Sequence, residues 1–158
     1  TVIDRMKDTL QGRCVGILVH DGSDAAAVAA LRKAAEKAGA TVKIVAPKLG
    51  GALLSDGRRL AADGQLAGTP SVVFDAVALV LSKEAGTMLA KEAAAVDWVR
   101  DAFGHLKAIA ADAGAQAVLK AGGVGRDAGV VEAGEVAAFI AAAKTRQWAR
   151  EPKVRMLA

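Results

Sequence analysis

Arg13-Cys-Val-Gly-Ile-Leu-Val-His20, closed by Asp21-Gly22-Ser23, is the stretch that decides the fold. It is a continuous apolar run without polar alternation, the pattern of a strand buried on both faces of a parallel sheet. Downstream, Asp24, Val28, Leu31, Ala35 and Ala38 recur four and three residues apart, while Arg32, Lys33, Glu36 and Lys37 fall elsewhere. That spacing predicts an amphipathic helix, capped by Ser23 or Asp24 and stopped by Gly39. Thr41–Ala46 then reads as a second strand, closed by Pro47. Strand, helix and strand in this order make a βαβ unit with a right-handed crossover.

Outward from this unit the alternation continues. Gly50–Pro70 is glycine-rich, and Asp56-Gly57 between Leu53-Leu54 and Leu60 predicts a hairpin excursion. Ala76–Leu81 is another apolar strand, approached through Pro70–Phe74. Leu89, Ala93, Val96, Val99, Phe103 and Leu106 keep helical spacing from Met88 to Leu106. Ala108–Ala111 is a short strand, Gln116–Lys120 a short helix and Val130–Glu132 a last strand. Val136, Phe139, Ile140 and Ala143 mark a final helix before a tail with Trp148 and Pro152. Alternating β and α segments predict an α/β, doubly wound, mostly parallel sheet with helices on both faces.

The 158 residues suit one domain, with 53% hydrophobic and 24% charged residues, a globular balance that needs no disulfide or metal to fold. Aromatics are only 3%, so the core is expected from Ala, Val, Leu and Ile. Thr1–Gln11 is mixed and polar and reads as a linker or N-terminal extension, residues 1–11, leading into a domain over 12–158. The net charge of +4 concentrates at Lys144, Arg146, Arg150, Lys153 and Arg155. Without basic–aromatic interleaving this reads as a solvated helix end and tail rather than a nucleic-acid surface. No apolar run approaches the length of a membrane span, and no signal peptide is visible. One cysteine fits a reducing cytoplasm.

In a doubly wound sheet ligands bind beyond the carboxyl ends of the strands. Here those positions are His20-Asp21-Gly22-Ser23-Asp24, Ser82-Lys83-Glu84 and Asp112-Ala113-Gly114. Turns need small and polar residues anyway, and nothing supplies a nucleophile beside a base. Cys14 opens the first strand at the opposite end and reads as a small buried filler. His20 and His105 show no zinc-ligand spacing. Gly123-Val-Gly-Arg-Asp-Ala128 matches a dinucleotide fingerprint only in letters, since it follows a helix and precedes a strand. Haem iron takes His, Cys, Met or Tyr; the chain has no Tyr, and haem is not expected in this segment.

The run Gly12–Asp24, its helix and Gly39-Ala-Thr-Val-Lys-Ile-Val-Ala46 resemble the opening of the DJ-1/PfpI superfamily, the class I glutamine-amidotransferase-like branch of flavodoxin-like folds. Phe74-Asp-Ala-Val-Ala-Leu-Val-Leu-Ser82, His105-Leu-Lys-Ala-Ile-Ala110 and Trp148-Ala-Arg-Glu-Pro-Lys153 resemble the C-terminal domain of large-subunit haem catalases. The resemblance implies a non-catalytic accessory domain joined to a catalase core that carries the haem and converts hydrogen peroxide to water and oxygen. It implies partners in that core and in neighbouring subunits of a homotetramer, to whose stability and assembly the domain contributes. Active relatives place a cysteine on a strained elbow reading roughly A-x-C-H-G. Here Asp112 stands for the Cys and Ala113 for the His; Asp24 aligns with the tuning acid, and Ser82-Lys83 lies near the missing oxyanion glycines. The resemblance therefore implies a degenerate site at Asp24, Ser82, Asp112 and Ala113. Two other readings stay open: a chaperone-like holdase that binds unfolded clients through apolar surface, and a residual small-molecule hydrolase or binder.

Overall fold

In the computed structural model, which describes residues 9–152, the quoted run becomes strand β1, Cys14–Val19, with every residue after Cys14 buried. It is followed by α1 (Ala25–Lys37), β2 (Thr41–Ala46), a hairpin of β3 (Ala52–Leu53) and β4 (Arg59–Leu60), and β5 (Gly64–Gln65). Then come β6 (Ala76–Val80), α2 (Lys83–Leu89), α3 (Ala93–Gly104), β7 (Ala108–Ala111), α4 (Gln116–Ala121), β8 (Val130–Glu132) and α5 (Val136–Ala143). The sheet runs β5-β2-β1-β6-β7-β8, and every neighbouring pair in it is parallel. β3 and β4 pair antiparallel outside it, as the Asp56-Gly57 turn signal requires.

Each face of the sheet carries its own core, which is why β1 and β6 contain no polar residue. On one face Val15, Ile17 and Val19 meet Val28, Leu31 and Ala35 of α1 and Phe139 and Ala143 of α5. On the other, Leu18, Val77, Leu79 and Ile109 meet α2, α3 and α4 through Leu89, Trp98, Val99, Phe103 and Val118. Gly16 interrupts β1 because the Phe74 ring lies where its Cβ would stand. Trp98 meets Phe74 edge-on at 6.2 Å and donates its Nε1–H to the Thr69 carbonyl at 3.0 Å.

Several expectations change. The helical spacing from Met88 to Leu106 belongs to two helices, because Lys91 and Glu92 turn back on Met88 and Leu89 through backbone bonds of 3.2 and 3.0 Å. Leu106 is not helical: at φ 62° it is the only described residue other than glycine with positive φ, and it closes the α3 end with its side chain buried. Gly64–Gln65 adds an edge strand with no periodic signal. Cys14 is half-buried rather than a filler, and lines an open groove with Lys43, Val73 and Phe74. Leu10 is 1% exposed, packs into the α1-side core and donates its N–H to the Ala38 carbonyl at 3.0 Å. Residues 1–8 of the entering segment, together with Lys153 and Arg155, lie outside the described residues.

Candidate functional site

After β2 the chain returns to the other side of β1 to form β6, so the strand order reverses between them and a crevice opens beyond their carboxyl ends. Ser23 closes its floor. Its hydroxyl is wholly buried, 2.5 Å from the Val80 carbonyl and 2.7 Å from the His20 carbonyl, and accepts the His20 N–H at 2.9 Å. The hydroxyl pins β1 to β6 where the polar loop residues begin.

Each of the three polar site residues caps a helical turn. Asp24 Oδ1 accepts the Ala27 N–H at 3.0 Å and opens α1. Ser82 Oγ accepts the Ala85 N–H at 3.1 Å and opens α2. Asp112 Oδ1 accepts the Ala115 N–H at 3.1 Å and opens the turn leading into α4. Its carboxylate also reaches across to β6: the Leu81 N–H donates to both oxygens, at 3.2 and 3.0 Å. Ala113 follows, exposed and without a polar atom.

Asp112 is half-buried, and desolvation lifts its carboxyl above the ordinary aspartate range. The Leu81 and Ala115 N–H bonds oppose that rise, and the charge of Asp24 adds to it. At φ −86° and ψ −179° the backbone is extended, without the left-handed strain of a nucleophile elbow. The carboxylate thus engages the Leu81 and Ala115 N–H groups. Its geometry is that of a cap and a cross-strand tie, a poor arrangement for attack or proton transfer.

A separate cleft of about 350 Å³ lies beside this cluster, lined by His20, Asp21, Lys48, Met88 and Glu92 with Pro47 and Gly51. None of Asp24, Ser82 or Asp112 lines it. His20 Nδ1 is enclosed there without a hydrogen-bond partner among the described residues. Asp21 is occupied structurally, its Oδ1 accepting the Leu53 N–H at 2.9 Å. His105 is remote, at the end of α3. At the opposite end of the sheet burial raises the Cys14 thiol, outweighing the nearby Lys43 charge, which disfavours the thiolate form. Among the described residues no group of three His, Cys, Asp or Glu is arranged to hold a metal, and no helix is long and apolar enough to cross a membrane.

The sequence missed one site of strong polar contact. Arg150, expected in a solvated basic tail, is 2% exposed. Its Nε and Nη2 donate to the two oxygens of Asp127 at 2.7 and 3.0 Å, and Nη1 donates to the Phe103 and Lys107 carbonyls at 3.1 and 2.8 Å. The guanidinium also lies 4.2 Å from the Phe103 ring centre. Asp127 comes from the Gly123–Ala128 stretch, which the structure places between α4 and β8 as a loop. The only sequence signal was an acid in that loop and an arginine after an aromatic.

Comparison with known proteins agrees with this architecture. Residues 11–148 match the model of the C-terminal domain found in long catalases, and the chain belongs to that family. The chain is 43% identical over 162 residues to Catalase C of Rhizobium meliloti, covering 99% of this chain and 23% of that protein. It is 33% identical over 117 residues to Catalase HPII of Mycobacterium avium, covering 73% of this chain and 17% of that protein. The chain therefore spans less than a quarter of the length of these relatives. Among solved structures, DJ-1beta of Drosophila melanogaster superposes with a TM-score of 0.70 at 16% identity, over 91% of this chain and 96% of that one. The oxidized DJ-1 of Toxoplasma gondii gives 0.66 at 16% identity, over 92% and 97%. The fold is the flavodoxin-type, DJ-1/PfpI-like one.

Proposed function

We propose that this chain is the non-catalytic accessory domain of a large catalase, and that it stabilises the parent enzyme and its homotetrameric assembly. Peroxide decomposition would belong to the haem-bearing core of the same parent, in a cytoplasmic oxidative-stress defence. The observation that carries the reading is the family match over residues 11–148 combined with a site in which Asp112 is tied down by the Leu81 and Ala115 N–H groups. Among the described residues, neither histidine offers the enclosed apolar pocket that haem would need. His20 faces a cleft bordered by Asp21, Lys48 and Glu92 rather than an apolar pocket, and His105 is exposed at a helix end. No step of peroxide chemistry is assigned to this chain.

Two sets of measurements test the reading, one on the domain and one on the full-length protein. The purified domain is expected to fold, to show no Soret band when supplied with haem, and to leave peroxide undecomposed. The full-length protein is expected to show haem absorbance and peroxide turnover, and removal of residues 12–158 is expected to lower its thermal inactivation temperature and weaken its tetramer. Unchanged inactivation and unchanged assembly after that deletion would remove the accessory role. A holdase is the second reading, favoured by exposed Leu49, Leu53, Val72, Val73, Met88 and Trp148. It expects the domain to suppress aggregation of a denatured client at sub-stoichiometric ratio; no suppression at equimolar ratio rejects it.

A further inference from the structure

The strands of the main sheet are parallel, so the molecule has an amino edge and a carboxyl edge of different character. At the amino edge the chain enters through Leu10–Arg13, held by the Leu10 N–H bond to Ala38 and by the Thr41 N–H bond to the Arg13 carbonyl at 2.9 Å. Beside that entry, the turn preceding β6 exposes Val72 and Val73, 46% and 57% accessible. One strand further along, the Gln147 N–H bond to Leu106 at 2.8 Å brings Trp148, 62% exposed, to the start of β7. Three apolar side chains thus share the edge at which the chain arrives.

The same edge gathers three cations, against which Asp75 is the carboxylate acting on Lys107. Arg13, Lys107 and Arg146 are close enough that the two arginines depress the Lys107 ammonium, after burial, while Asp75 opposes them. Asp75 also accepts the Cys14 N–H at 2.8 Å. The ion pairs seen among the described residues include none of Arg13, Lys107 and Arg146. The carboxyl edge also exposes apolar groups, Leu49, Leu53 and Met88, but there Lys48 and Lys83 are accompanied by Asp21, Asp24, Glu84 and Glu92.

We propose that the amino edge, with Val72, Val73 and Trp148 framed by Arg13, Lys107 and Arg146, is the surface on which this domain docks against the core of its own chain, through an apolar and acidic patch there. The inference rests on the accessory-domain reading. In a C-terminal domain the remainder of the parent comes before it in sequence and reaches the fold through Leu10–Arg13. A tether attached at that edge gives the core a higher effective concentration there than at the far edge. Burying Trp148 and the two valines adds apolar contact, and the excess of cations selects an acidic counterpart and fixes its register.

The test uses the full-length protein and a broad-specificity protease, with cleavage between the core and the domain as the readout. Val73→Glu with Trp148→Glu is expected to raise the rate of domain release at least about tenfold, since cleavage follows the population of the undocked state. Arg146→Glu is expected to act in the same direction, and added salt to loosen the wild type but not that variant's remaining contact to the same degree. Leu53→Glu with Met88→Glu at the carboxyl edge is expected to leave release unchanged. These side chains are exposed, and survival of the released domain as an intact fragment under the same protease checks that each variant domain is folded. If the carboxyl-edge pair releases the domain, or if neither pair does while the wild type stays protected, the docking surface is wrong and the accessory reading stands. If the wild-type domain is cut free at once without consequence for the enzyme, the accessory reading falls and the surface falls with it. If release by the amino-edge pair depends on protein concentration, the edge binds a neighbouring copy, and the proposal of the same-chain core is overturned.

Discussion

Asp112 carries opposing demands at one residue. Its carboxylate caps a turn and holds the Leu81 N–H of the neighbouring strand, yet its burial disfavours the charge. Asp112→Ala leaves the Leu81 N–H without its acceptor and removes the cap, an expected loss of about 1–3 kcal/mol in denaturant unfolding. The raised folded-state pKa sets the sign of the pH dependence: the folded form holds this proton more tightly than the unfolded form. Its stabilising contribution is therefore complete below the ordinary aspartate value and is lost as pH rises through the elevated one. Asp112→Asn should flatten that part of the stability profile, just above the ordinary aspartate range. An unaltered profile would show that another group titrates there. Arg150 makes the opposite case, a permanent charge withdrawn from water but supplied with four acceptor atoms. Arg150→Ala takes the two-pronged donor from Asp127 and one hydrogen bond from each of two carbonyls, and is expected to cost about 3–5 kcal/mol. Arg150→Lys should recover little of that, because an ammonium cannot form the two-pronged contact with Asp127. Chemical unfolding of both variants, compared with Asp127→Ala, measures the coupling.

Among the elements, the closest approach is backbone against backbone. A Cβ on Gly86 in α2 would overlap the Gly114 carbonyl, and one on Gly114 would overlap the Leu81 carbonyl. The short helix α2 therefore lies directly against the turn after β7, and the Asp112 cap is fitted into the contact. Gly114→Ala must push two pieces of main chain apart, and is expected to destabilise by more than the typical core overpacking cost of about 1–3 kcal/mol. Thermal unfolding checks this: a shift no larger than that of an exposed control such as Gly68→Ala would mean that the elements separate easily. The same packing explains the break between α2 and α3. A continuous helix from Met88 to Leu106 would carry its first turns away from Gly114, whereas the turn at Lys91–Glu92 lets both helices bury a face, through Ala85 and Leu89 and through Ala95, Trp98 and Phe103.

For the whole molecule, the governing feature is a sheet covered on both sides by small aliphatic residues, with the polar groups confined to its two edges. Strand ends at the carboxyl edge carry helix caps; the amino edge carries the entering chain and the Arg150 lock. Much of this could be read in advance. The unbroken apolar run of β1, the 4-3-4-3 spacing of α1 and the Asp56-Gly57 turn determined the strand–helix alternation, because period and turn chemistry are local properties of a chain. Likewise the resemblance that sets Asp112 and Ala113 where a reactive pair would stand was read from residue identity alone. Tertiary structure alone decided what those residues touch. Arg150 and Asp127 are twenty-three positions apart and signalled nothing, since a charge can be buried only where folding brings it acceptors from elsewhere. The role of Asp112 as a tie to Leu81, the pressing of α2 onto Gly114 and the gathering of Val73, Trp148 and Arg13 on one edge are long-range consequences of strand order, which no local pattern encodes.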